Sequence, residues 1–94
     1  MKLVSATVPE HRLESVRRGL LAIGVGGMTI GEVRCDDVDE PMFRIETAVP
    51  AAAVDEVVAA IRERAPEAAT LGIVAFALES VTRVRTGEFD EYAV

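Results

Sequence analysis

Two arginines separated by one valine lie near the end of the chain, at Arg83 and Arg85. Alternate residues of an extended segment point to the same side, so both guanidinium groups are predicted to face one way. Planar guanidinium groups bind phosphate or carboxylate oxygens two at a time, and this spacing therefore favours an anion site. The alternative is ion pairing with acidic residues nearby in the sequence, namely Glu79, Glu88 and Asp90. The residues alone leave both interpretations open.

The other reactive side chains give weaker signals. Cys35 begins the segment CDDVDEP, in which four carboxylates accompany a single thiol. A metal ion could bind there, but no second soft ligand is nearby, so a solvated link between strands is favoured. His11, the only histidine, falls near the start of a predicted helix and is expected to be exposed. The segment GVGGMT lacks the spacing of a phosphate-binding loop, so a glycine-assisted turn is expected.

Composition excludes several classes of function. The chain has 94 residues, which is enough for a single domain (1–94) with one core. Its net charge of −6 disfavours binding to nucleic acid or to anionic lipid. With one cysteine, no leader and no long apolar run, we expect a cytoplasmic protein without a membrane span. No set of residues indicates an enzyme.

The hydrophobic periodicity predicts six main elements in the order strand, helix, strand, strand, helix, strand. Period-two alternation marks the strands, and apolar residues three or four apart mark the helices. A change of phase at Gly31 and Glu32 predicts a β-bulge. The predicted strands are residues 2–8, 26–34, 43–49 and 72–78, and the predicted helices follow Pro9 and Pro50 and end before Gly24 and Pro66.

This order is the βαββαβ, ferredoxin-like arrangement of an α+β domain, an antiparallel sheet with two helices on one face. A short extra strand is expected at the C-terminal end. Residues 73–78 are apolar on both sides of the last long strand, which favours burial of both sheet faces. Since the chain has no third long helix to cover the open face, another copy of the chain is the expected cover.

Four segments resemble, in order, blocks of the nitrogen-regulatory P-II signalling proteins: MKLVSATV, IGVGGMTIGEVR, VPAAAVDEVVAAI and RVRTGE. The resemblance implies a compact homotrimer of ferredoxin-like subunits whose sheets face inward. It also implies that ATP or ADP binds in clefts between subunits. In that family the nucleotide and 2-oxoglutarate set the shape of a long loop, which docks on transporters, enzymes and transcription regulators.

The same resemblance implies roles for individual residues. Thr29 and Glu46 match positions that line the adenine side of the cleft. Arg83 and Arg85 match the paired arginines that reach the phosphates, and Gly87 with Glu88 begins the C-terminal loop of the family.

Two segments depart from the family pattern. The long signalling loop is reduced to CDDVDEP, without a tyrosine to be modified, and the glycine-rich phosphate loop is replaced by RAPEAATLG. Gly72 stands where that loop has its lysine, so we expect weak binding of ADP, AMP or ATP, or of a small anion. The sequence thus predicts a divergent P-II-like sensor that signals to a transport or nitrogen/carbon metabolism partner. The alternative is a structural or metal-tolerance trimer of the same fold that binds no nucleotide.

Overall fold

The computed structural model describes residues 1–36 and 38–78 and the backbone of residues 82–83 and 88–89. The predicted order of the main strands and helices is confirmed. The elements are β1 (Lys2–Pro9), α1 (Glu10–Ala22), β2 (Thr29–Val33), β3 (Met42–Val49), a 3-10 turn (Ala51–Ala53), α2 (Val54–Arg64), the one-turn helix α3 (Ala68–Leu71), β4 (Ile73–Ala77), β5 (Thr82–Arg83) and β6 (Glu88–Phe89).

The four long strands form one antiparallel sheet in the order β2-β3-β1-β4. The first strand of the chain, β1, lies inside the sheet, and Lys2 is opposite both Val49 of β3 and Ala77 of β4. The strands β1 and β2, which α1 connects, lie on either side of β3. The strands β3 and β4, which α2 connects, lie on either side of β1, so the two strand–helix–strand units interlock. The fold is the predicted α+β, ferredoxin-like βαββαβ arrangement.

The hydrophobic core lies between one face of the sheet and the two long helices. Three alternate residues of each central strand are buried there, as period-two alternation requires: Val4, Ala6 and Val8 in β1, and Ile45, Thr47 and Val49 in β3. Each fully buried aliphatic side chain contributes about 1.5–3 kcal/mol relative to an exposed one. The central members of the core are Val4, Ala6, Val8, Val16, Leu20, Ile45, Val49, Val57 and Ile61.

Prolines and glycines set the boundaries of the helices. Pro9 has extended backbone angles and precedes the first residue of α1, and Pro50 precedes the turn that leads into α2. Gly24, after α1, has a φ of 90°, which favours glycine over residues with a side chain. In the described part of the chain, no helix is long and apolar enough to cross a membrane.

The bulge predicted at Gly31 and Glu32 is wrong. Strand β2 pairs with β3 without interruption from Thr29 opposite Glu46 to Val33 opposite Met42. Because β2 is an edge strand whose first four residues are all exposed, a charged residue fits on its helix side without being buried. The change of hydrophobic phase in β2 is therefore explained by its exposure at the sheet edge, and the register with β3 does not change.

The sheet face opposite the helices carries exposed apolar side chains. Val74 and Phe76 of β4 are 50% and 46% exposed on this open face, whereas Ile73 packs against the core. The apolar residues predicted on both sides of this strand are thus present. Beyond β4, the expected extra strand is a pair of two-residue strands, in which Arg83 is opposite Glu88.

Candidate functional site

Thr29 and Glu46 are directly opposite each other on neighbouring strands. Thr29 begins the edge strand β2, and Glu46 lies in the middle of β3, with the two Cα atoms paired in the register. Directly opposite residues of an antiparallel pair have Cα atoms about 4.5–5.5 Å apart. Thr29 is exposed and Glu46 is half-buried, so a hydroxyl and a carboxylate stand together on the open face. The structure brings together these two predicted site residues.

The row that contains this pair continues across the sheet. Glu46 is also opposite Ser5 of β1, and Ser5 is opposite Val74 of β4. Arg44 lies two residues before Glu46 in β3, so it is on the same face of the sheet, and it is exposed. The open face therefore changes from polar at the β2 edge to apolar at the β4 edge, so that the polar Thr29–Glu46 pair lies beside an apolar surface.

A buried threonine ties the segment before β2 to the sheet. Thr47 is only 3% exposed, and its hydroxyl donates a 2.6 Å hydrogen bond to the carbonyl oxygen of Gly27. Period-two alternation places Thr47 on the core face of the strand, but sequence reasoning missed this contact. The sequence did carry a signal for this contact, because Thr47 lies between the apolar residues Ile45 and Val49. A buried hydroxyl needs a hydrogen-bonding partner.

The segment that replaces the family's glycine-rich phosphate loop is a closed turn. Its residues 65–72 include the short helix α3, which the sequence analysis did not predict. The backbone amides of all five residues from 68 to 72 donate to carbonyl oxygens within residues 65–68, at 2.8–3.2 Å. These amides are therefore already paired and cannot form a cradle of free donors for a phosphate group.

The predicted anion ligands fall at the limit of the described chain. The backbone of Arg83 lies in β5, whereas its side chain and all of Arg85 lie outside the described residues. The same holds for Gly87, Glu79 and Asp90. The shared orientation of the two guanidinium groups and the alternative ion pairs therefore stay predictions.

His11 has a contact that sequence reasoning missed. It is exposed as predicted, yet its Nδ1 lies 3.0 Å from Glu40 Oε2 and its Nε2 lies 3.4 Å from Glu67 Oε2. Arg12 Nε contacts the Glu67 carboxylate as well, at 3.1 Å. The pKa of Glu67 is lowered, first by a hydrogen bond from its own backbone amide and next by Arg12. One imidazole thus connects the β2–β3 loop with the segment before α3.

The β2–β3 loop, residues 34–41, connects two adjacent strands as predicted. The amide of Glu10 donates to the carbonyl oxygen of Pro41 at 3.0 Å, which fixes the end of the loop to the start of α1. Within residues 1–36 and 38–78, no group of three histidine, cysteine or carboxylate side chains is placed to hold a metal ion. The two contacts of His11 use opposite ring nitrogens, so its carboxylate partners do not converge on one point.

Comparison with known proteins gives consistent matches. Residues 1–88 match the family model described as Nitrogen regulatory protein P-II. The full chain is 31% identical to a nitrogen regulatory protein P-II of Rhizobium etli and 32% identical to one of Haemophilus influenzae. It is 30% identical to the nitrogen regulatory protein GlnK of Escherichia coli, and each of the three relatives is also covered over its full length.

These alignments extend over 113 positions, against 94 residues in this chain, which leaves 19 positions without a counterpart here. A difference of this size agrees with the reduced signalling loop expected from the sequence. The match over almost the whole chain, together with the ferredoxin-like fold, supports a single conclusion. The chain belongs to the nitrogen regulatory protein P-II family, whose members are regulatory signalling proteins.

Proposed function

We propose that this protein is a cytoplasmic, homotrimeric P-II-like sensor that binds an adenine nucleotide or a small anionic metabolite weakly in clefts between subunits. In this proposal, occupancy of the cleft is signalled to a transporter or to an enzyme of nitrogen or carbon metabolism. The protein itself catalyses no reaction. The observation that carries the proposal is the pairing of Thr29 with Glu46 on the open sheet face.

The Thr29–Glu46 pair suits the base of an adenine nucleotide. A carboxylate accepts hydrogen bonds and a hydroxyl both donates and accepts them. The exocyclic amine of adenine is a donor and its ring nitrogens are acceptors, so the two side chains complement the edge of this base. Glu46 is half-buried, which strengthens such a hydrogen bond relative to one in open water.

The apolar part of the open face supports assembly. Val74 and Phe76 are about half exposed, and Phe76 is opposite Leu3, which is opposite Ala48. Burying these side chains against other copies would gain about 25 cal/mol for each Å² of apolar surface removed from water. Since the polar pair lies beside this surface, assembly through it would place Thr29 and Glu46 at the margin of a subunit boundary.

Weak binding follows from the phosphate side of the cleft. The paired amides of residues 68–72 leave no backbone cradle, so Arg83 and Arg85 are proposed as the main anion ligands. With few donors for a terminal phosphate, ADP and AMP should bind at least as well as ATP. Losing one charged hydrogen-bonding partner should cost about 1.5–3 kcal/mol, roughly a tenfold to hundredfold loss of affinity.

Titration calorimetry with ADP, AMP and ATP tests this proposal, preceded by a thermal-shift screen that adds 2-oxoglutarate, bicarbonate and divalent metals. Arg83→Ala and Arg85→Ala should each weaken binding, whereas Arg62→Ala on the exposed side of α2 should not. Binding that survives loss of both arginines unchanged would reject the anion site. If the wild type binds none of these ligands, the alternative of a structural trimer is preferred. Uptake of a divalent metal that depends on Cys35 would favour a metal-tolerance role.

A further inference from the structure

The segment between α1 and β2, residues 24–28, is here called the glycine loop, and its two halves are held differently. Its first half is anchored to α1, because the amides of Gly24 and Val25 donate to Leu21 and Leu20 at 3.1 and 3.0 Å. Val25 is also buried in the core. Among the described residues, the one hydrogen bond to the second half, residues 26–28, is that from Thr47 to Gly27.

In the second half, Met28 packs against the core, whereas packing does little to hold Gly26 and Gly27 in place. A Cβ atom added to Gly26 or Gly27 would meet nothing within 4 Å. A cavity of about 280 Å³ lies beside the loop, lined by residues that include Gly26, Gly27, Val49 and Val57. The loop therefore has room to move, and glycine backbone offers little resistance to movement. One buried hydrogen bond decides where Gly27 sits.

The position of Gly27 bears on the proposed base site through two short connections. Thr29 follows Gly27 by two residues and is opposite Glu46, the residue just before Thr47 in β3. Neighbouring residues of a strand point to opposite faces, so Glu46 lies on the open face while Thr47 lies towards the core. The strand that presents Glu46 thus also holds the loop that leads to Thr29.

A valine would fit the place of Thr47 in the core. Thr47 lies opposite Val4 and between Ile45 and Val49 on its face, and valine has nearly the same shape. The hydroxyl contributes nothing to apolar packing, and it is satisfied only while Gly27 keeps its present position. Its contribution here is therefore the placement of the glycine loop.

We propose that Thr47 is a positioning residue, which fixes the glycine loop through Gly27 and so holds Thr29 opposite Glu46 for the base of an adenine nucleotide. This inference rests on the proposed function for its ligand, but the placement of the loop is independent of any ligand. Thr47 does not touch the base. Its effect is confined to the base end and does not extend to the arginines.

Hydrogen exchange of the full-length protein tests the placement without a ligand. Thr47→Val removes the hydroxyl at constant shape, and Thr47→Ser retains it. Loss of one hydrogen bond should speed amide exchange about tenfold in Thr47→Val at the hydrogen-bonded amides that flank Gly27, namely Val25 and the first paired amides of β2, with little change in Thr47→Ser. Thr70→Val on the exposed surface of α3 is the matched control. Equal exchange in wild type and Thr47→Val would overturn the proposal. If Thr47→Val does not fold, Thr47→Ala serves in the same comparison.

Calorimetry then tests the link to the base. Thr47→Val should bind ADP about tenfold more weakly and pyrophosphate as the wild type does, and Thr47→Ser should restore ADP binding. General destabilisation would weaken both ligands alike, so an equal loss for the two would overturn the positioning role. A wild type that binds neither ligand would contradict the proposed function, and exchange alone would then decide whether Thr47 fixes the loop.

Discussion

The carboxylate of Glu14 on α1 is held by two arginines one turn further along the helix. Arg17 donates hydrogen bonds of 2.6 and 2.9 Å to it, and Arg18 donates one of 3.2 Å. The hydrogen bonds from Arg17, together with the charge of Arg17 and the contact with Arg18, lower the pKa of Glu14 from 4.5 to about 2. Because the pKa is depressed in the folded state, the stabilising effect is present above pH 4.5 and is lost as the pH falls towards 2.

We predict that Glu14→Gln lowers the free energy of unfolding at neutral pH by a small amount, because solvent screens an exposed ion pair. The difference from wild type should shrink as the pH falls from 4.5 to about 2, where wild-type Glu14 becomes protonated. Urea unfolding across this range measures it. Glu63→Gln is the control, since Glu63 is exposed and forms no ion pair with the described residues. A pH-independent difference for Glu14→Gln would contradict the prediction.

The sequence predicts the environment of a side chain only where regular secondary structure determines it. Period-two alternation fixes the faces of β3, so the open-face position of Glu46 follows from the sequence. The bond from Thr47 to Gly27 depends on the path of an irregular loop, which hydrophobic periodicity does not describe. The His11 contacts join residues 29 and 56 positions apart, where local sequence carries no signal.

At the scale of elements, shortening the β2–β3 loop tests whether the fold depends on this loop. Val33 and Met42 are opposite each other as the last pair of the two strands, which is the geometry that a two-residue turn requires. We predict that replacing residues 34–41 with Asn-Gly keeps the fold, since an Asn-Gly turn matches the twist of a hairpin. Circular dichroism and thermal melting measure the outcome.

The same replacement removes the contact of Glu40 with His11 and the bond from Glu10 to Pro41. These contacts are exposed and few, so a modest fall in melting temperature is expected. His11→Gln in the intact chain is the matched control, because it removes the imidazole and keeps the loop. A replaced chain that does not fold would show that the loop is part of the fold, and loss of a physiological partner would make it the functional element.

The elements that sequence predicted well are the long ones. Both long helices and the two eight-residue strands, β1 and β3, carry enough periodic residues to define a buried face. Helix α3 has four residues and no apolar stripe, and it forms because Ala65 and Ala68 are buried against the body of the domain. Tertiary packing, which a local pattern cannot represent, determines such an element.

At the scale of the whole molecule, we predict a homotrimer in solution, on the basis of the apolar strand 73–78 and of the resemblance to the P-II family. Light scattering should give three times the chain mass of 10.1 kDa at micromolar concentration. Val74→Asp should reduce this towards the monomer mass, because a charge would replace an apolar side chain on the assembly surface. Leu21→Asp is the control, since Leu21 is exposed to a similar extent, 47% against 50%, but lies on α1. A monomeric wild type would contradict the proposed assembly.

The central place of β1 in the sheet has a consequence for the protein during its synthesis. Both strands that flank β1 are made after it, and β4 begins 64 residues beyond the end of β1, at Ile73 against Pro9. At about 5–20 residues per second, the ribosome needs several seconds to deliver that last neighbour. Until then the nascent chain carries an apolar strand with one unpaired edge, which is the kind of surface that recruits chaperones. The sheet can be completed only after β4 has left the exit tunnel, so folding is not expected to finish before this strand has been made.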